Sequence, residues 1–183
     1  MQPTSVEGLE LGREQVHGMR SMEHLVGMQL PPLALSSTTG GEGGWTALSA
    51  GRSVVYLYPG DDSTPEGPQA EPSSCAVQRA IFRDYALDFA AEGARIAGLS
   101  SEPHETQVAA AERERLPFPL ISDRDCHLAD ALELPTFLDL GVRRFRRLTL
   151  ICEAGVVAAA FYPVSPRRSA AQALGWLNGV QPG

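Results

Sequence analysis

The 183-residue sequence predicts an α/β domain with a mixed central sheet and helices on both faces. Two observations carry this. Short β-branched and aromatic runs alternate with amphipathic segments of helical length, which calls for parallel strands joined by crossover helices. A late pair of apolar runs, parted by "EAG", then adds an antiparallel hairpin before a closing helix. The resulting order is β-α-β-α-β-α-ββ-α.

Residues 1–24 are polar, with mixed charge, and read as an extension holding one short helix around Arg13–His24. The domain is expected over 25–183. Its first part, "LVGMQLPPLALSS" and "WTALSA", flanks the turn signal "TTGGEGG" and reads as a small hairpin or as a strand with a short helical turn. "SVVYLYPG" (53–60) is a buried strand ended by Pro-Gly. The Pro- and Gly-rich stretch 60–74 is a long surface loop. A helix follows from about Ser74 to Glu92, with Val77, Ile81, Tyr85 and Phe89 as its apolar stripe and Gly93 at the C-cap. "ARIAGLSS" is a second buried strand and "PHETQVAAAERER" a helix. "LPFPLISD" is a strand whose Ser-Asp end starts a helix over 124–134. "RRLTLICEAGVVAAAFYPV" is the hairpin, and "SPRRSAAQALGWLNG" the last helix, capped by Gly179.

Composition narrows the function classes. A net charge of −7 opposes nucleic acid or an anionic membrane as the main partner. All 15 basic residues are Arg, so a lysine Schiff base is excluded. No apolar run approaches the ~18 residues of a membrane span, and the N-terminus lacks the charge-then-apolar pattern of a secretory leader. The cysteines, at 75, 126 and 152, show no metal-ligand spacing, and the four histidines are scattered. No metal or cofactor is expected, and free thiols fit a cytoplasmic location.

Cys75 opens the helix after the first long strand, where open α/β sheets place their chemistry. Free N–H groups and the positive dipole end favour a thiolate there, which lowers a thiol pKa. Ser73 and Ser74 stand ready to cap the helix or to bond a ligand. Position alone serves equally well for a small buried apolar residue.

The order of motifs breaks the tie. "VVYLYPGDD", then "FRDYALDFAAEGARIAGLSS" after the cysteine, then "LPFPLISD", "LADALEL" and "RRLTLICEAG" together resemble the peroxiredoxins over residues 26–178. That family puts its peroxidatic Cys seven residues before the Phe of an FRD segment, as Cys75 stands to Phe82. It puts Glu, Gln or His three residues after that Cys, where Gln78 stands. It puts an Arg two residues before the Thr of a late strand, as Arg147 stands to Thr149. The resemblance implies a thioredoxin-like fold and a thiol-dependent peroxidase. Cys75 would be the nucleophile, Arg147 would stabilise charge and Gln78 would orient Arg147. Tyr58, Pro59, Pro72, Ser73 and Ser74 would line the site. A peroxide or another small molecule would be the substrate, a low-molecular-weight thiol or thioredoxin-like protein the reductant, and a homodimer the assembly.

The pattern also breaks. The family's Thr or Ser three residues before the Cys is Pro72 here, and the loop between Pro59 and Cys75 is longer than usual. The helix position that often carries a resolving Cys is Ala80. Cys126, at another helix start, is the candidate to resolve Cys75, although Asp123, Asp125 and Asp130 oppose a thiolate there. Cys152, inside a strand, is expected to be buried and inert. One-Cys chemistry with an external thiol is the resulting expectation. The enlarged loop also leaves open an enzyme of specialised metabolism using Cys75 on a larger substrate. A non-catalytic binding relative, with Cys75 away from Arg147, is the third reading. Asp61 and Asp62 are expected to be solvated turn residues. In "VRRFRR", Arg147 is expected to turn inward and the other arginines to be solvated.

Overall fold

The computed structural model describes residues 22–40, 44–61 and 74–179. In chain order these form β1 (Ser36–Ser37), β2 (Arg52–Leu57), α1 (Ser74–Asp84), α2 (Ala86–Ala91), β3 (Ala94–Ser100) and α3 (His104–Glu114). Then come β4 (Leu120–Ser122), α4 (His127–Leu132), β5 (Thr136–Asp139), β6 (Val142–Phe145), β7 (Leu148–Glu153), β8 (Val156–Phe161) and α5 (Ser169–Leu177).

One sheet runs β1-β4-β3-β2-β7-β8. The β4-β3-β2 strands are parallel, and β1, β7 and β8 join antiparallel. Side chains alternate across it, as the pleat requires. Val55, Leu57, Leu99 and Leu150 enter one core, with Trp45, Leu128 and Leu132 packed over them. Val54, Tyr56, Tyr58 and Ile151 enter the other, under Phe82 and Phe89 of α1 and α2 and Ala170 and Ala173 of α5. Helices therefore cover both faces, and the mixed α/β plan expected from the sequence is the one observed.

Four differences bear on the site. The expected helix 74–92 is divided at Tyr85 into α1 and α2, although Tyr85 N–H still bonds Ile81 O and Phe89 N–H bonds Tyr85 O. Its buried face is Cys75, Gln78, Arg79 and Phe82, with Val77, Ile81 and Tyr85 only half-buried. Two polar side chains take the centre of that face because each is paired there, Gln78 with Arg147 and Ser169 and Arg79 with Asp61 and Glu114. Second, β5 and β6 form an unexpected hairpin. Its turn residues, Leu140 and Gly141, both have positive φ (49° and 81°), the backbone of a tight two-residue turn. Third, Trp45–Ser49 is a 3-10 turn, so the early segment takes the strand-and-helical-turn form. Fourth, Met22–Leu25 is a single 3-10 turn, with Met22 and Leu25 buried; the rest of the helix expected around Arg13–His24 lies outside the described residues.

The start of the outer strand β8 is covered. Gly27 N–H bonds Val157 O, Val157 N–H bonds Met28 O, and Leu30 N–H bonds Gly155 O. Residues 27–30 thus run along the side of β8 that no strand of the sheet occupies.

Candidate active site

Strand β2 runs into Tyr58-Pro59-Gly60 at the carboxyl end of the parallel strands, and α1 begins beside it. Cys75 lies in the first turn of α1, almost wholly buried, while Ser74 ahead of it is exposed. Arg147 comes from the residue just before β7, the antiparallel neighbour of β2. The sheet register thereby brings together residues 72 positions apart. Arg147 Nη2 donates to Cys75 Sγ at 3.1 Å and to Ser74 Oγ at 2.5 Å. Its Nη1 donates to Gln78 Oε1 at 2.7 Å, and Gln78 Nε2 donates to Ser169 Oγ of α5 at 3.0 Å. Gln78 is fully buried and acts as a bridge, one end on the guanidinium and the other on the last helix. The Gly60 backbone faces the Cys75 sulfur from the β2 side, and its N–H pulls the thiol pKa down.

Electrostatics at Cys75 oppose one another. Burial pushes the thiol above its ordinary range; the Arg147 charge and the N–H donors of Gly60 and Arg147 pull it down without cancelling that push, and Asp61 adds to the rise. The thiol depression expected from the helix start is therefore corrected: enclosure by Tyr58, Phe82 and the strand end outweighs the donors.

The other cysteines stand apart from this arrangement. Cys126 is fully buried at the start of α4, with φ 53°, and its Sγ donates to Arg143 O at 3.6 Å. Burial, with Asp123, pushes its thiol up to about 11. The depression considered for a helix start does not occur, because the helix N–H groups of His127 and Leu128 bond Asp123 instead. Cys152 is buried in β7, and burial pushes it up to about 12.

Tyr58 and Pro59 directly follow β2. Tyr58 is fully buried, stacked near Tyr56 (5.7 Å between ring centres), and Pro59 O accepts from Arg144. Pro72, Ser73 and Asp62 lie outside the described residues.

Sequence reasoning missed the charged network around this strand end. Asp61 is no solvated turn residue: Arg79 Nη1 and Nη2 bond its two carboxylate oxygens at 3.0 and 2.7 Å. Arg79 has no exposure, and its Nε and Nη2 also bond Glu114 at 2.6 and 2.7 Å. Arg144, expected to be solvated, is buried beside Asp139 (2.9 Å) and reaches Pro59 O at 3.0 Å. Arg143 pairs with Asp130, and Arg146 lies over the Phe137 ring. The signal for Arg144 was Asp139 five residues earlier, across the Leu-Gly turn. Among the described residues no cluster of His, Cys, Asp and Glu has the make-up of a metal site.

A cleft of about 450 Å³ lies between the Trp45–Ser49 turn, α2 and Pro117–Pro119, and Cys75 is not among its lining residues.

A family model described as Redoxin matches residues 25–174. The chloroplastic peroxiredoxin Q of Sedum lineare is 29% identical over 131 residues, which is 72% of this chain and 65% of that protein. The chloroplastic peroxiredoxin Q of Populus jackii is 33% identical over 57% of this chain and 44% of that protein. The chain thus spans less than two thirds of the length of these relatives. Among solved structures, the peroxidoxin BcpB of Mycobacterium tuberculosis superposes with a TM-score of 0.69 at 26% identity, over 86% of this chain and 98% of that one. Peroxiredoxin Q of Xanthomonas campestris gives 0.68 at 26%, over 84% and 97%.

Proposed function

We propose, from the premise that this chain belongs to the redoxin family as a peroxiredoxin of the thioredoxin-like superfamily, that it is a thiol-dependent peroxidase acting through Cys75. The observation that carries the reading is the 3.1 Å contact of the Arg147 guanidinium on the Cys75 sulfur. In the reaction the Cys75 thiolate attacks one oxygen of a hydroperoxide, and a sulfur–oxygen bond forms as the O–O bond breaks. The electron pair of that bond leaves with the other oxygen, which takes the proton given up by the thiol and departs as water or an alcohol. Cys75 is left as a sulfenic acid. Arg147 donors suit both the anionic sulfur and the charge that moves onto the leaving oxygen. Gln78 holds the guanidinium in that orientation.

Reduction in this reading is by an external thiol. A first thiol condenses with the sulfenic acid, giving a mixed disulfide and water; a second releases Cys75 and leaves as a disulfide. Ala80 stands where a helix resolving Cys would be, and the burial and raised pKa of Cys126 argue against its serving instead. A low-molecular-weight thiol or a thioredoxin-like protein fits the reductant. The same reading takes the protein as a cytoplasmic homodimer. The exposed apolar hairpin tip of Leu138, Leu140 and Val142 is the surface that supports pairing. No helix among the described residues is long and apolar enough to cross a membrane. The contact between Cys75 and Arg147 opposes a vestigial thiol.

The test is stopped-flow oxidation of the reduced protein by hydrogen peroxide, with mass spectrometry locating the modified residue. The expected result is one added oxygen on Cys75, absent in Cys75→Ser, with Cys126 and Cys152 unmodified. Oxidation no faster than that of a free thiol would sink the reading.

A further inference from the structure

We propose that Arg79 is a positioning residue for Cys75, acting through Asp61 to hold the strand end at Gly60 against the start of α1, beside the sulfur. The inference rests on Cys75 being the reacting thiol. Arg79 follows Cys75 by one turn of α1, and among the described residues no hydrogen bond joins it to the sulfur or to Arg147. Its guanidinium is withdrawn from water completely, a state that costs several kcal/mol unless every donor is engaged. Here two carboxylates engage it, each through two N–H groups: Glu114 from the end of α3 and Asp61 from the end of β2. The Glu114 pair alone would fasten α1 to α3. The Asp61 pair does something else, since it ties the helix that carries Cys75 to the residue after Gly60.

Residues 59–61 are held from two more directions. Arg144 donates to Pro59 O at 3.0 Å, and Glu102 accepts the Asp61 N–H at 3.1 Å while bonded by Ser100 Oγ at 3.0 Å. Gly60 has φ +115°, and a Cβ there would meet Glu102 Cγ at 2.8 Å and Arg144 Nη1 at 3.0 Å. The backbone is thus pressed against its clamps in a conformation that favours glycine. Between the clamped groups lies the Gly60 N–H, which pulls the Cys75 pKa down. Of these clamps, the Arg79 fork is the one that joins the strand end to the helix carrying Cys75.

The experiment measures the pH dependence of Cys75 alkylation by iodoacetamide, and oxidation by hydrogen peroxide at pH 7, in Arg79→Lys and Asp61→Asn. The charged and titratable groups that face Cys75 are Arg147, Asp61, Tyr56 and Tyr58. Arg79→Lys keeps the charge and loses the fork. The alkylation midpoint is expected to rise by about one pH unit, and oxidation to slow about tenfold. Asp61→Asn keeps the Arg79–Glu114 pair and removes a negative charge beside the sulfur. Acting only as a charge, that change lowers the midpoint; acting through position, it raises it. Arg52→Gln, in an exposed pair with Glu153, is the control and should match the wild type. Should Arg79→Lys fail to fold by circular dichroism, Asp61→Asn decides alone. Midpoints unchanged or lowered, with oxidation within twofold of wild type, overturn the proposal. A wild-type protein inert to peroxide whose midpoint still rises in the variants would refute the peroxidase reading and leave the positioning role standing.

Discussion

Arg147→Ala removes three bonds at once, to Cys75, Ser74 and Gln78. Only the first acts directly on the Cys75 sulfur. A unit charge about 3 Å from a thiolate, at an effective dielectric of about 20, attracts it by at most ~5 kcal/mol. Arg147 is only half-buried, so water takes over part of that when the guanidinium goes. The lower bound is one charge-assisted hydrogen bond, about 1.5–3 kcal/mol. The expected fall in the second-order rate constant with hydrogen peroxide is therefore about 10- to 150-fold at pH 7. The pH profile adds a sign. Burial already holds the Cys75 thiol above its ordinary range, so the wild-type rate should climb with pH through neutrality, as the thiolate fraction grows. Without Arg147 the rise should shift to still higher pH. Stopped-flow kinetics from pH 6 to pH 9.5, with circular dichroism as the check on folding, reads both. A folded variant within threefold of wild type at every pH would refute the charge-stabilising role of Arg147.

Three further outcomes are expected. Gly60→Ala, with φ +115° and the contacts with Glu102, should lose about 2 kcal/mol, a Tm fall of roughly 4–8 °C by calorimetry, and should slow Cys75 oxidation. Cys152, held neutral up to about 12 in the folded chain, ionises first in the unfolded chain; stability should be unaffected below pH 9 and decline as pH rises from there toward 12. Urea midpoints between pH 8 and pH 10.5 should fall less steeply in Cys152→Ala. Leu140→Asp, on the 90% exposed hairpin tip, should shift the protein toward monomer in analytical ultracentrifugation without changing the Cys75 oxidation rate, and an unchanged mass would remove the hairpin from any dimer interface.

The sheet was legible because its strands are short runs of β-branched and aromatic residues bounded by Gly and Pro, and burial on both faces leaves such runs few alternatives. Cys75, Gln78 and Arg147 were legible through the resemblance to the peroxiredoxins, whose motif spacings they match. What escaped the sequence were groups whose partners lie far along the chain. Arg79 sits in an ordinary helix pattern, and nothing local says that Glu114, 35 residues on, will neutralise it. Asp61 after Pro-Gly has the look of any turn carboxylate. The β5–β6 hairpin escaped because Leu-Gly is an unusual pair for a two-residue turn that favours Asn-Gly. The thiol pKa of Cys75 was misjudged for a related reason: the helix start is visible in sequence, whereas the enclosure around the sulfur exists only in the fold.

The strip formed by residues 27–30 along β8 has a consequence for handling the molecule. A bare outer strand offers its free N–H and C=O groups to another chain, and sheets left open in this way grow into aggregates. Here the N-terminal strip occupies Val157 N–H and the carbonyls of Gly155 and Val157. Versions trimmed past Leu30 would keep every side chain around Cys75 and still precipitate, because they would uncover a template for strand addition at the start of β8.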